Sequence, residues 1–418
     1  MGTMTETRPG KRPPLMSLDD ALQRLLEGAS PRRITQTEQV STFDAVGRVL
    51  AAEVQSLLDV PPADNTSMDG YVMRAADVPA VGTVLPVSQR IPAGVVGQPL
   101  AAGTAARIFT GAQVPAGADA VVMQEQCIAQ AGDGLGSVQV NAVPQAGQWV
   151  RRRGEDVQQG AMVLAPGERL TPQALGLAAS VGAAELTVVR RPRVAVFSTG
   201  DELVMPGQPL TPGAIYNSNR FTLRGLLQAA GCAVQDLGIV PDRLDATRDA
   251  LRRAAAGNDL ILTSGGVSVG EEDHLRPAVM AEGELTLWQI AMKPGKPLAF
   301  GRVGEALFMG LPGNPVSSFV TFLLAVAPVL RALQGMPTAT PMAYALRADF
   351  DWPRPDKRRE FLRVKLNDQG GLDLFANQSS GVLTSTVWAD GLVDTPAGQP
   401  IVRGELVRYL PLDGLLNR

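Results

Sequence analysis

Between residues 192 and 334 the sequence alternates apolar runs with amphipathic ones, and this alternation restricts the fold more than any other feature. PRVAVFSTG (192–200) reads as a buried strand with its loop, and NRFTLRGLLQAAG (219–231) as a helix stopped by Gly231. AVQDLGIV (233–240) reads as a strand, DRLDATRDALRRAAAG (242–257) as a helix and DLILTSGG (259–266) as another strand. Short connections between such elements signal βαβ units around a parallel sheet covered on both faces. Ligands of such sheets bind at the carboxyl ends of the strands. FSTGDE (197–202), IVPDR (239–243) and TSGGVSVGEED (263–273) all fall at ends of that kind.

The 418 residues leave room for two to four domains, at about 100–200 residues each. A first helix is expected at 18–28, with Ser17 as N-cap, Asp20 three residues on, and Leu18, Ala21, Leu22, Leu25 and Leu26 on one face. Short runs between Gly and Pro turns at 83–143 predict a small β-rich domain, and a helix is expected near 172–181. After MPTATP (336–341) the text again reads as short strands and turns, a second small β domain.

A net charge of -3 gives no global basic field, which argues against nucleic-acid binding. Two cysteines, Cys127 and Cys232, lie far apart and outside any CxxC pattern, which fits a reducing cytosol. The basic tail RPGKRPP (8–14) lacks a following apolar segment and is expected to be a floppy tail rather than a signal peptide. No apolar stretch is expected to reach the ~18 residues that span a bilayer. These readings together place the protein in the cytoplasm.

The only histidine is His274, so nucleophilic catalysis of the Ser-His or Cys-His type would depend on one loop residue. What remains is carboxylate, lysine and backbone amide, a set suited to a hard cation and an oxyanion. In SGGVSVG (264–270), Ser264, Gly265, Gly266 and Ser268 could form an anion-binding nest of amides or a tight turn without a ligand. Glu271, Glu272 and Asp273 follow directly, and would repel a phosphate unless Mg²⁺ bridged the charges. Asp201 and Glu202 after Thr199-Gly200, and Asp242 in VPDRLDAT, read equally as helix-capping acids. Acids at three neighbouring strand ends are less easily explained by capping alone.

KPGKP (293–297) holds Lys293 and Lys296 in a proline-stiffened loop, which is either a solvated loop or an oxyanion site. LPGNPVSSF (311–319) starts a helix near Pro315 with Asn314 as N-cap. Amides 316–318 and the Ser317 hydroxyl would form a further anion site, or simply an ordinary capped helix. DNTSMDGYVM (64–73) is a turn-rich cluster, and RRRGEDV (151–157) reads by default as an ion network on a solvated face.

Taken in order, DNTSMDGYV, RIFTGAQVPAGADAVVMQE, RRRGED, FSTGDEL, SGGVSVGEED, AMKPGKP and LPGNPVS closely resemble the MoeA-type molybdopterin molybdenumtransferases, the family that includes the E domain of gephyrin. The likeness runs from about residue 15 to the C-terminus. It implies an elongated multidomain α/β plus β fold and a homodimer. The implied domains are a discontinuous linker domain (15–60 plus 145–190), an inserted β-rich domain (61–144), a three-layer α/β domain with a mostly parallel sheet (191–335) and a C-terminal β-barrel-like domain (336–418). It further implies Mg²⁺-dependent insertion of molybdenum from molybdate into adenylylated molybdopterin, with release of AMP. Other enzymes of the cofactor pathway are further candidate partners.

Carried onto this chain, the resemblance puts Asp69 and Thr110 in a site completed by the partner subunit, and makes Asp156 a functional position. Glu202, Asp242 and Asp273 would surround the metal and pyrophosphate, while Lys293, Lys296 and Ser317 would handle oxyanions. Pro312 and Pro315 would shape that loop, and Arg358 and Ser380 would hold molybdate. The expected chemistry has Asp273 or Asp242 position or deprotonate water while the lysines deliver molybdate to the dithiolene. His274 stands where the family often has an aromatic residue, and Gln289 where a lysine is common. The rival readings are the pathway's adenylyltransferase, which needs only the central domain, a non-catalytic scaffold, and a generic Mg²⁺ phosphohydrolase.

Overall fold

The structure, a computed structural model, describes residues 15–267, 274–337 and 340–417. The basic tail at 8–14 and two expected site residues, Ser268 and Asp273, lie outside the described residues. The chain forms two compact units. One holds the chain up to Glu38, Gly47–Val49 and everything from Val188 on; the other holds Gln39–Val46 and Leu50–Thr187.

In the larger unit a six-stranded sheet is built from β1 (Arg193–Thr199), β2 (Ala233–Val240), β3 (Leu260–Ser264), β4 (Gly283–Gln289), β5 (Pro297–Val303) and β6 (Ala306–Leu311), in the order β2-β1-β3-β6-β5-β4. The first four in that order run parallel, and β5 is antiparallel to both β6 and β4. Val194 and Val196 on one face of β1 and Ala195 and Phe197 on the other are all fully buried. This two-sided burial is why the strand reads as an unbroken apolar run. On the second face Phe197, Ile261 and Phe308 pack with Leu251, Ala254, Leu275 and Val279 from two helices. Burying each large side chain stabilises the fold by about 1.5–3 kcal/mol.

Those helices belong to a set: α1 (Leu18–Ala29), α2 (Ser218–Ala229), α3 (Leu244–Ala255) and α4 (Leu275–Glu282). The Ser17 hydroxyl accepts from the Asp20 amide at 3.0 Å, as its spacing predicts. Asn217 caps α2 in the same way, accepting from the Arg220 amide at 3.1 Å. Asp242 is not a cap. Arg243 takes the N-cap position of α3 without a side-chain bond, and the Asp242 amide instead donates to Asp201 Oδ1 at 3.1 Å.

The register sets the functional edge. Thr199 stands opposite Val240, Ser198 opposite Ser264, and Ser264 opposite Leu311. Four parallel strands therefore end together, and the loops after 199, 240, 264 and 311 leave from one edge of the sheet.

A helical run follows at Pro315–Leu333, with a π turn at Phe322–Val326 just before Pro328. Proline has no amide to donate to the α ladder, and the shift to longer bonds absorbs that break. Here the expectation of no bilayer-length apolar stretch is corrected. The 19-residue run is long and apolar enough to cross a membrane, yet 83% of its apolar 18-residue window is buried inside the protein. In the sequence Ser317, Ser318, Thr321 and Arg331 interrupt its apolar text, and burial makes it a core helix.

Beyond it, β7 (Tyr344–Ala348), β8 (Arg359–Leu366), β9 (Gly371–Leu374), β10 (Gly391–Thr395) and β11 (Leu406–Pro411) close into a five-stranded barrel, in the order β8-β9-β7-β11-β10 and back to β8. Its interior is filled by Leu362, Val364, Leu372, Val393 and Tyr409. A two-residue strand, Met292–Lys293, adds to β8 in parallel, with Met292 opposite Arg359 and Lys293 opposite Glu360.

The smaller unit holds a six-stranded sheet in the order Ala120–Met123, Gly70–Met73, Ala105–Ile108, Thr83–Ile91, Ser137–Val140, Cys127–Gln130. Tyr71, Met73 and Val122 bury one face while Val72, Ile108 and Val121 bury the other. Helix Pro172–Ser180 starts on a Thr171 cap at the predicted place.

Candidate functional site

At the carboxyl edge of the sheet a cleft of about 870 Å³ opens within the larger unit. Loops after β1 and β3 bring Glu202, Ser264 and Gly265 to its wall, and the KPGKP loop brings Lys293 and Lys296. The β6 loop and the helix after it add Pro312, Pro315 and Ser317, and the barrel segment adds Arg358 and Ser380. These ten expected residues, from six separate stretches of sequence, therefore share one cavity. Gly266 and Asp242 leave from the same sheet edge but are not part of its wall.

Gly265 has φ +89°, and a Cβ there would meet the Thr199 carbonyl at 3.0 Å, so glycine is required by both backbone and space. The expected nest is nonetheless incomplete, since the Gly265 amide donates to the Leu311 carbonyl at 3.1 Å. Of the amides at 316–318, read as either an anion site or an ordinary capped helix, two are already bonded. The Val316 amide donates to the Ser380 carbonyl at 3.0 Å and the Ser318 amide to the Asn314 carbonyl at 2.9 Å. The first bond ties the helix start to the barrel segment instead of leaving an open donor. The Asn219 side chain donates to the Gly313 carbonyl at 2.7 Å and fixes the same loop from the other side.

Charge in the cleft is arranged around Lys293 and Arg358. Lys293 Nζ lies 3.0 Å from Glu360 Oε1 and 3.6 Å from Asp356 Oδ2. Arg358 donates through Nε and Nη2 to the two oxygens of Asp356, each at 2.9 Å. The Arg358 side chain, with help from the Arg358 amide and Lys293, holds the Asp356 carboxyl far below the usual carboxylate range. Asp356 in turn raises the Arg358 guanidinium above its ordinary value. Glu360 is 1% exposed and accepts through Oε2 from Trp352 Nε1 (2.9 Å) and the Asp356 amide (2.7 Å). Lys296 lines the cleft with no carboxylate paired to it among the described residues. The cleft thus offers three cations, two of them already held by acids, which suits a polyvalent anion.

In the smaller unit the structure brings Asp69 and Thr110 together. Asp69 Oδ1 accepts from the Thr110 amide at 2.8 Å and from its hydroxyl at 2.7 Å. These two bonds hold the Asp69 carboxyl below its ordinary range. RRRGED forms the intramolecular ion network that its composition suggests. Arg152 Nη1 and the Arg153 amide both donate to Asp64, at 2.7 and 2.8 Å, and Arg153 Nε donates to Asp59 at 2.5 Å. Asp156 is exposed, with its amide on the Val60 carbonyl at 3.0 Å.

Sequence reasoning missed Asp356 and Glu360. The signal was present in DKRRE, where acids flank Arg358, but a mixed charge run reads as a solvated face. Only the pairing of Lys293 with Glu360 across 67 residues of sequence reveals the buried acid.

Among the described residues, no three acids, histidines or cysteines group to hold a metal ion. Mg²⁺ seldom needs such a group, because one or two carboxylates plus substrate phosphates usually carry it. Glu202 on the cleft wall fits that donor set.

Three family models match the chain: the MoeA N-terminal region (domain I and II) at 16–182, a probable molybdopterin binding domain at 195–332, and the MoeA C-terminal region (domain IV) at 345–412. The chain is 39% identical over 363 residues to a molybdopterin molybdenumtransferase of Haemophilus influenzae, covering 86% of this chain and 89% of that one. It is 36% identical over 395 residues to a molybdopterin molybdenumtransferase of a Nostoc species, covering 90% and 89%. The crystal structure of a molybdopterin biosynthesis MoeA protein from Pyrococcus horikoshii is similar with a TM-score of 0.81 at 29% identity, over 95% of this chain and all (100%) of that one. With relatives this similar along nearly its whole length, the chain belongs to the MoeA family of molybdopterin molybdenumtransferases.

Proposed function

We propose that the chain inserts molybdenum from molybdate into adenylylated molybdopterin, with Mg²⁺ and with release of AMP, in the cleft at the sheet edge. The observation that carries this reading is the meeting of Lys293, Lys296 and Arg358 in one cavity with Ser317, Ser380 and Glu202. Molybdate and a pyrophosphate link are both anions, so a site that joins them must supply fixed positive charge. Lys296 and Arg358 would bind the oxyanion, with the Ser317 and Ser380 hydroxyls as donors that orient it. Lys293, held by Glu360, adds charge that cannot swing away. Glu202, with Asp242 at the next strand end, would hold Mg²⁺ on the pyrophosphate. When bound, the ion would neutralise the phosphoanhydride and make AMP a better leaving group. The sulfurs that take molybdenum belong to the pterin, so neither cysteine is needed.

A homodimer and a cytoplasmic location are part of the same proposal, supported by the family's membership rather than by any contact described above. Purified protein incubated with adenylylated molybdopterin is the test. Molybdate-dependent AMP release supports the proposal. Transfer of AMP from ATP to free molybdopterin, without molybdate dependence, would favour the adenylyltransferase instead.

A further inference from the structure

Glu360 has an unusual position for an acid. It sits on β8 of the barrel, 1% exposed, where an unpaired carboxylate would be strongly disfavoured. Its Oε2 accepts from Trp352 Nε1 at 2.9 Å and the Asp356 amide at 2.7 Å. Among the described residues, Oε1 makes no hydrogen bond and is matched only by the ammonium charge of Lys293, whose Nζ lies 3.0 Å away. The strand register places Lys293 directly across from it, and the Arg359 amide donates to the Ala291 carbonyl at 3.0 Å beside that pair. The loop that carries both cleft lysines is thus fastened to the barrel at the lysine itself. Asp356 does the same for a second cation, engaging Nε and Nη2 of Arg358, while Nη1 donates to the Met292 carbonyl at 3.4 Å and ties Arg358 to the same loop.

Such an arrangement is a poor way to gain stability. Well-packed apolar residues in place of a buried ion pair are often as stable or more so, because desolvation offsets much of the attraction. What a buried acid does supply is a fixed location for its partner's charge. We infer that Glu360 and Asp356 are positioning residues for the oxyanion pocket, setting Lys293 and Arg358 where those cations meet molybdate. This rests on the functional reading above. Neither acid need touch the substrate, and each acts through the cation that it holds. Lys296, without such a partner, is left to adjust to the ligand.

The test uses the full-length chain with Glu360→Gln, Asp356→Asn, Glu360→Asp and Lys293→Ala, measuring steady-state rates with molybdate and adenylylated molybdopterin varied separately. Loss of a supporting partner commonly costs 10–100-fold, so the KM for molybdate should rise by about 10-fold or more in Glu360→Gln and Asp356→Asn. The pterin KM and kcat at saturating molybdate should stay close to wild type, and Glu360→Asp should restore part of the molybdate KM. A merely structural role would lower the unfolding temperature without this split. If both acid variants keep the wild-type molybdate KM while Lys293→Ala loses it, the inference is overturned and the functional reading stands. If Lys293→Ala also keeps it, the reading itself fails. Should Glu360→Gln not fold, Asp356→Asn, at a partly exposed site, decides alone.

Discussion

Gly295 separates the two cleft lysines, and replacing it with alanine should be costly in a way that the structure lets one calculate. Its φ is +109°, where side chains are rarely found, and an added Cβ would lie 2.5 Å from Thr321 Oγ1 and 2.9 Å from Met292 Cε. Thr321 is fully buried on the core helix, so it has little room to withdraw, whereas the end of Met292 is flexible. Backbone strain of this kind costs about 1–3 kcal/mol. Forcing a methyl into packed space costs about 1–3 kcal/mol more, nearer the low end because only one of the two neighbours is rigid. The sum is about 3 kcal/mol. If the loop holds its place, the thermal midpoint should fall by roughly 6–12 °C, at about 2–4 °C per kcal/mol for units of this size. If the loop instead lifts away from Thr321, Lys296 moves and the molybdate KM should rise with a smaller thermal loss. Differential scanning calorimetry paired with steady-state kinetics separates the two. A Gly295→Ala variant with wild-type midpoint and wild-type KM would refute the reasoning.

The two lysines should differ when removed. Lys293→Ala strands the buried Glu360, a loss of about 3–5 kcal/mol for a fully buried pair that solvent screening at the half-exposed lysine should cut to about 1–3 kcal/mol; Lys296→Ala, with no such partner, should weaken molybdate binding while leaving the unfolding midpoint within about 1 °C of wild type. Arg363 is 1% exposed, and burial pushes its guanidinium down to about 10. Arg363→Met removes that burden but leaves the Phe361 and Ser379 carbonyls and the Ser385 hydroxyl without their donor, so urea unfolding should show a net loss of about 1–3 kcal/mol. In the barrel, Arg347 and then Asn367 hold the Asp349 carboxyl at about 2, below its ordinary 3.8. A depressed acid stabilises the fold fully above 3.8 and loses that contribution as pH falls through 2. Arg347→Ala should therefore move the acid-unfolding limb to higher pH, read by circular dichroism, and an unmoved limb would show that the pair contributes nothing.

Much of the larger unit was legible because its physics is local or repetitive. β1 and β3 are buried on both faces, so they appear as uninterrupted apolar runs, and the Ser17 cap announces its helix within three residues of the bond it makes. The carboxyl-edge convergence of Glu202, Ser264 and Ser317 follows from parallel register alone. What escaped depends on pairing between distant segments. The Met292–Lys293 strand on β8 and the burial of Glu360 are set by which strands meet, and no short window of sequence contains both partners. The sequence could not decide whether the amides of Gly265 and Val316 are open, because their acceptors, Leu311 and Ser380, lie 46 and 64 residues away. For Asp242 the sequence left a capping role open; the N-cap falls one residue later, on Arg243, and the Asp242 amide donates to Asp201.

The central claim is that a divalent oxyanion binds among the cations at the sheet edge. Anomalous diffraction at the molybdenum absorption edge, from crystals of the full chain grown with molybdate, locates that anion without reference to turnover. The account predicts a peak in the cleft within reach of Lys296, Arg358 and Ser380. A molybdate peak on residues outside the cleft, with none inside it, would contradict the claim.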